Sequence, residues 1–152
     1  MAQNTSRTRM TKVVYFLCAF HGLGALLFGG LMMLFPVDTP LGLGAVLPAM
    51  GNFPFQMFFK TLFWSGLALF LCNGVCNLIA AGLFLKKRDT KALLFGFIAG
   101  ILLIVWDVYE LIFLPNPMAV LYALFGVIQA IMCYRLLRRD RLLSVQAHEG
   151  RR

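Results

Sequence analysis

Charged residues are scarce in this sequence, and acidic residues are the scarcest. Of its 152 residues, 13% are charged and 61% are hydrophobic, and Asp and Glu together number six. Soluble domains are about 45–50% apolar and about 25% charged, so an ordinary soluble globular domain is excluded. The apolar residues form runs of about twenty, the length at which a helix crosses ~30 Å of hydrocarbon. We therefore predict one membrane domain over residues 1–152.

Motifs of several catalytic classes are also missing. Gly42-x-Gly44 is not followed by a third glycine that opens a helix, so it does not form a phosphate-binding loop. Ser65 is the only serine within a predicted span, and no histidine lies near it in the sequence. No nucleophile with a neighbouring base is evident, so the sequence does not argue for an enzyme, although membrane enzymes with unusual sites stay open.

All four cysteines fall inside the predicted spans, and the predicted external loops contain none. A thiol-oxidising membrane enzyme needs a cysteine pair that faces the oxidising compartment, so this class is disfavoured. Thiolates with an imidazole would suit copper(I) or zinc, but no C-x-x-C or H-x-x-x-H motif is present. We predict no metal and no cofactor, and interpret the cysteines as small buried apolar residues. They are Cys18, Cys72, Cys76 and Cys133.

Basic residues are concentrated in three islands that flank the apolar runs. Thirteen of the fourteen Lys and Arg lie in residues 1–12, 86–91 and 135–152. Short loops rich in Lys and Arg stay on the cytoplasmic side, so both termini are predicted to be cytoplasmic in a multi-pass protein of the cell membrane. The net charge of +8 then needs no nucleic acid partner, because the charges form no groove and no recognition motif accompanies them.

The apolar runs predict an all-α bundle of four antiparallel transmembrane helices. The first run is too long for a signal peptide and no small-residue cleavage pattern follows it, so we expect it to be retained. The first loop contains four prolines and one charge, and is predicted to lie outside the cytoplasm, in the interface or over the mouth of the bundle. The predicted segments are spans at about 13–35, 60–85, 92–114 and 118–137, the loop at 36–59 and a basic cytoplasmic tail at 138–152.

The third predicted span carries two carboxylates, Asp107 and Glu110. Ionisable residues are costly within a membrane and tend to face the bundle interior or a cavity. At about 100° per residue, both share a face with Gly96 and Gly100, where another helix could approach closely. These glycines are candidate contacts of a homodimer; the alternative contacts are the glycines of the first span, Gly22, Gly24, Gly29 and Gly30. Two carboxylates one turn apart do not both ionise easily in low dielectric, which suits a proton or cation site; alternatively, Glu110 only reaches the interface and meets Lys60.

The other predicted spans each place polar side chains on one face. Their simplest interpretation is interhelical hydrogen bonding, worth about 0.6–2 kcal/mol per residue in membrane bundles. The alternative is that they line a ligand or proton site together with the carboxylates. We interpret His21 first as a neutral histidine bonded to an amide or a carbonyl group, and second as a ligand-binding residue. The candidate site residues are Asp107, Glu110, Tyr122, His21, Asn73, Asn77 and Gln129.

The layout of the chain resembles that of the small four-span bacterial membrane proteins grouped as DoxX-like. The shared features are a glycine-rich first span ending in Phe35-Pro36, a loop with Pro and Gly, and a basic turn between the second and third spans. A second resemblance, to uncharacterised small integral membrane proteins, rests on the pattern Asn116-Pro117-x-x-x-x-Tyr122-x-x-x-Gly126-x-x-Gln129. Together they imply a four-span layout. They imply no activity and no site residue.

Three classes of function remain open. The preferred hypothesis is a small ligand-binding or transport bundle, with a cavity under the 36–59 loop and with Asp107 and Glu110 as its charged anchor. The second is a non-catalytic accessory subunit that packs against a larger membrane partner or senses lipid, in which the polar residues only join helices. The third is a membrane enzyme acting on a lipid or quinone, with Asp107 or His21 as acid or base.

Overall fold

In the computed structural model, the chain forms a bundle of long helices. The structure describes residues 2–51, 54 and 56–149, with side chains at 9–51, 54 and 57–140. Within these ranges there is no strand, and four helices are long and apolar enough to cross a membrane, which confirms the predicted all-α membrane fold. We call them the first to fourth spans: Arg9–Leu34, Phe63–Leu85, Asp89–Phe113 and Pro117–Asp140.

Two of these helices continue beyond the apolar segment. The first helix begins at Ala2, and the last runs from Pro117 to Glu149, through most of the basic tail. The third helix begins at Asp89, three residues before the predicted span, because a carboxylate is stable in the first turn of a helix. The turn before it contains Lys87, whose φ of 55° is left-handed. This reversal separates the antiparallel second and third spans.

The second span is not a regular α-helix throughout. It consists of α-helix at Phe63–Ala68 and Cys76–Leu85, with a π-helical segment at Leu69–Val75 between them. A π-helix bonds each amide to the fifth residue before it, so it is wider than an α-helix and shifts the side chains that follow. The hydrophobic run predicts a span here and gives no sign of the change in helix type.

The 36–59 loop packs on one end of the bundle. It contains a short 3-10 helix at Leu43–Val46 and helices at Leu47–Met50 and Gln56–Phe59. Buried Met50 and Leu62 form an apolar cluster there with side chains of the loop and of the first and third spans. We call this the loop end of the bundle. The opposite end contains the N-terminus of the first helix, the C-terminus of the last helix and the turn at 86–88. We call it the terminal end of the bundle.

The glycine face predicted to pair two copies is occupied within one chain. Gly96 and Gly100 are both buried. A methyl group built at Gly100 would lie 3.1 Å from the Ala130 nitrogen and 3.1 Å from the Gly126 oxygen, so the fourth span covers this face. A homodimer through these two glycines would require the bundle to open.

Candidate functional site

Polar groups from all four spans meet near the middle of the bundle. Gln129 Nε2 donates to Asn77 Oδ1 and to the Gly96 carbonyl oxygen, both at 2.8 Å. Gln129 Oε1 lies 3.0 Å from His21 Nδ1. The Gln129 and Asn77 side chains are both 0% exposed. We call His21, Asn77, Gln129 and the Gly96 carbonyl group the central network.

The pattern of hydrogen bonds fixes the His21 tautomer. Because the Gln129 amide nitrogen donates two bonds, its oxygen must face His21 and accept, so Nδ1 carries the proton. His21 Nε2 then holds a lone pair, and it is buried without a hydrogen-bond partner among the described residues. The ring packs beside Tyr122 and Phe125, with centroid distances of 6.4 and 5.5 Å.

Asn77 also connects the central network to the π-helical segment. Its Nδ2 donates to the Asn73 carbonyl oxygen at 3.0 Å. Asn73 is therefore linked to the network through its backbone, while its own side-chain oxygen Oδ1 is buried and forms no hydrogen bond in the described part of the chain. The two asparagines share a helical face but have different surroundings.

Two buried cysteines lie beside the network at Gly96. A methyl group at Gly96 would lie 3.1 Å from Cys133 Sγ and 3.2 Å from Cys18 Sγ. Both thiols are 0% exposed and belong to the apolar core of the terminal half. Over the residues whose side chains are described, no three His, Cys, Asp or Glu side chains cluster as a metal site would require.

Asp107 lies in the half of the third span nearer the loop end, apart from the central network. Its side chain is buried, at 4% exposed, and Oδ2 has no hydrogen-bond partner among the described side chains and backbone. Ser65, near the loop end of the second span, is likewise buried, and its hydroxyl has no such partner within the same ranges. The loop half therefore contains buried polar atoms that the chain itself does not satisfy.

Glu110 has a structural partner. Its Oε1 accepts a hydrogen bond from Asn116 Nδ2 at 2.8 Å, a partner that the sequence did not suggest. Asn116 Oδ1 accepts from the Ala119 amide at 2.8 Å, which caps the fourth helix just before Pro117. The second carboxylate thus lies in the third helix and connects it to the turn before the fourth span.

One described cavity opens at the side of the bundle, between the second and third spans, with a volume of about 580 Å³. We call it the lateral groove. Two of its lining residues, Phe58 and Phe59, belong to the 36–59 loop, and the others belong to the second and third spans. Its lining residues are Phe58, Phe59, Ala68, Leu69, Cys72, Asn73, Leu102, Val105, Trp106 and Tyr109.

The predicted site residues thus fall into separate places. The structure joins His21, Asn77 and Gln129 by hydrogen bonds, and Tyr122 touches the His21 ring. Asp107 and Glu110 are not bonded to this group in the described structure, and Asn73 lines the groove.

Sequence reasoning missed two features of the site, Asn116 and the lateral groove. The pattern of Asn followed by Pro at the start of a helix is a known capping signal and could have identified Asn116. No comparable signal marks the groove, since its apolar lining residues resemble those that face lipid.

Comparisons of this chain with protein-family models, with curated proteins and with solved structures gave no match. The resemblance to DoxX-like proteins therefore stays a prediction. The function is therefore inferred from the buried polar groups of the bundle. Some of them have hydrogen-bond partners within the chain, and others have none among the described residues.

Proposed function

We propose that this chain is a small ligand-binding bundle of the cell membrane, with Asp107 as its polar anchor. The observation that carries the proposal is the buried Asp107 carboxyl group, whose Oδ2 has no partner within the described residues. Ionisable groups inside a membrane are expensive and mark ion or substrate sites. A ligand with a positive charge or an N–H or O–H donor would supply the missing partner.

The central network supports this assignment by contrast. Gln129 and Asn77 are as deeply buried as Asp107, and their amide groups are bonded to other parts of the chain. The fold can therefore satisfy buried polar groups where they serve only to join helices. Asp107 Oδ2 has no hydrogen-bond partner among the described residues, a property it shares with atoms of His21, Ser65 and Asn73. Of these four groups only Asp107 is an acid, so it is the one that a cation or a hydrogen-bond donor would bind most strongly.

Access to Asp107 involves the loop end. The Met50 and Leu62 cluster covers this end, and Tyr109 and Phe113 of the third span pack against it. A ligand arriving from the loop side would displace part of this apolar layer. The loop residues of the layer belong to short helices that are joined by few residues. Glu110, held by Asn116, stands nearer that end and would be passed on the way.

The proposed orientation places the loop end outside and the terminal end in the cytoplasm. The described residues of all three basic islands belong to the terminal end of the bundle, as the retention of Lys and Arg in the cytoplasm requires. Single cysteines at exposed Asp38 and Thr90 would test it in intact cells with a membrane-impermeant maleimide. We expect Asp38→Cys to be labelled and Thr90→Cys to be labelled only after permeabilisation; the reverse pattern would contradict the orientation.

Native mass spectrometry tests the proposed function directly. The protein, extracted gently from its own membrane, should retain a reproducible small molecule. Asp107→Asn should lose it, because the amide has no charge and offers one acceptor oxygen in place of a carboxylate. Glu110→Gln is the matched control: it lies one turn away on the same helix and changes the same chemical group. It should keep the molecule.

Two results would contradict the proposed function. One is an equal amount of bound molecule in wild type and Asp107→Asn. The other is a protein recovered without a small molecule but with a second polypeptide, which would favour an accessory subunit.

A further inference from the structure

We propose that the lateral groove is a second ligand site, which binds a neutral lipid carrying a hydroxyl group, with Asn73 as its polar partner. The site is separate from the one at Asp107, because Asp107 does not line the groove. The inference goes beyond the proposed function and does not depend on it.

The size and lining of the groove set the general nature of the ligand. Its volume of about 580 Å³ is within the roughly 300–1,000 Å³ of small-molecule sites. None of its described lining residues is charged, and four are aromatic. A charged ligand would lose its hydration in such a groove without compensation, so a neutral and mostly apolar molecule fits best.

The surroundings of the groove indicate that its ligand comes from the bilayer. Val105 and Cys72, on its two walls, are exposed at the outer surface of the spans, Val105 to 61%. In a membrane this surface faces lipid chains. A molecule already dissolved in the bilayer can therefore enter sideways, without passing the apolar cluster at the loop end.

Asn73 is the one amide residue among the described residues that line the groove, and very little of it is exposed there. The residue is 3% exposed, yet it lines the groove, and Oδ1 is buried with no hydrogen-bond partner in the described structure. A buried amide oxygen without a partner costs free energy that a ligand can recover. The oxygen is an acceptor, so a ligand hydroxyl can donate to it once a rotation of the Asn73 side chain turns Oδ1 toward the groove.

The backbone of the second span is specialised at the same place. Three of the lining residues, Leu69, Cys72 and Asn73, belong to the π-helical segment Leu69–Val75. Such segments are rare and occur frequently at functional sites. Asn73 also lies at mid-depth in the span. Phospholipid headgroups do not reach that depth, so the hydroxyl must belong to a lipid without a charged headgroup.

Tryptophan fluorescence can test the site in the full-length protein. The chain has two tryptophans, Trp64 and Trp106, and Trp106 lines the groove. Trp64→Phe leaves Trp106 as the sole reporter and keeps a ring beside Phe58 and Phe63. The Trp64→Phe protein in phosphatidylcholine nanodiscs would be titrated with dibromo-octadecanol, and the quenching of Trp106 fluorescence would be measured. The comparison probe is the methyl ether of the same alcohol, which has the same chain and bromines but no O–H donor.

The alcohol should quench Trp106 saturably, with half-quenching at a mole fraction about five-fold lower than for the ether, as one buried hydrogen bond implies. Asn73→Leu, of similar size, should bring the two probes to equal potency. Asp107→Asn should leave the difference unchanged, which separates this site from the proposed function.

A second pair of variants applies if Asn73→Leu does not fold. Ala68→Leu fills the groove from the second span and should abolish saturable quenching by the alcohol. Val120→Leu places a leucine at an exposed position on the fourth span, outside the groove, and should have no effect. Equal quenching by alcohol and ether in the wild type, in linear proportion to their mole fraction, would overturn the proposal. So would an undiminished preference for the alcohol in Asn73→Leu or in Ala68→Leu.

Discussion

The Gln129 amide at the middle of this bundle differs from the polar groups of the loop half, although His21 Nε2 and Asn73 Oδ1, also near the middle, have no hydrogen-bond partner among the described residues either. Near the middle, the Gln129 amide satisfies groups from the other three spans, and each of its polar atoms is bonded. Toward the loop end, Ser65 Oγ and Asp107 Oδ2 have no partner among the described residues. In a membrane bundle, burial alone therefore does not separate a structural polar residue from a binding one. Whether the chain supplies its hydrogen-bond partners is the more informative property.

Replacing Gln129 should have the largest effect on stability, because it is the centre of the network. Gln129→Leu leaves His21 Nδ1, Asn77 Oδ1 and the Gly96 oxygen without their partner. At about 0.6–1.7 kcal/mol for each of the three interhelical hydrogen bonds, we expect the free energy of unfolding to fall by roughly 2–5 kcal/mol. Reversible unfolding in mixed micelles measures it.

Ile128→Leu is the control for Gln129→Leu, since Ile128 is exposed on the adjacent position and makes no polar contact. A loss below about 1 kcal/mol in Gln129→Leu would show that the network contributes little to stability.

The loop half should instead depend on close packing, which Gly29→Ala tests. A methyl group there would lie 2.7 Å from the Gly66 oxygen and 2.9 Å from the Phe70 backbone nitrogen, so the first and second spans must separate. We expect a loss of about 1–3 kcal/mol in the free energy of unfolding.

Gly30 provides the matched position, because a methyl group there meets no atom within 4 Å. Gly30→Ala should be neutral or slightly stabilising, since alanine favours helix. Equal losses in the two variants would mean that the spans do not approach as closely as described.

A smaller effect is expected at the loop-end turn. Asn116→Ala removes the cap of the fourth helix and the amide that bonds Glu110. Loss of an N-cap typically costs about 1 kcal/mol. Asn116→Ser keeps a capping oxygen and should recover most of the loss in a thermal unfolding assay. An Asn116→Ala protein as stable as wild type would contradict the structural role given to the bond between Asn116 and Glu110. Glu110 would then be a candidate for the ligand site at Asp107.

The fold was predictable because it depends on the hydropathy averaged over runs of about twenty residues, and not on the contacts of single side chains. Hydropathy runs located all four spans, and errors were confined to their ends, as at Asp89, where a charged residue belongs to the helix. The π-helical segment Leu69–Val75 was not predictable, because a change in backbone hydrogen bonding has no residue signature in an apolar run.

The candidate site was predictable as a set of residues and not as a set of contacts. Helical periodicity placed His21 and Gln129 on inward faces, but their contact joins residues 108 apart in sequence, and depends on the relative depth and rotation of two helices. Sequence reasoning likewise did not identify the hydrogen-bond partner of Glu110, which is Asn116 in the turn after the third helix.

The free energy of unfolding of Asp107→Leu, measured beside Gln129→Leu in the same micelles, tests the contrast between Gln129 and Asp107 most directly. Both changes replace a buried polar side chain with leucine. Because Asp107 Oδ2 has no partner to lose among the described residues, we predict that Asp107→Leu is neutral or more stable than wild type by up to about 2 kcal/mol. A loss as large as that of Gln129→Leu would show that Asp107 is bonded within the fold, and would contradict its assignment as a ligand anchor.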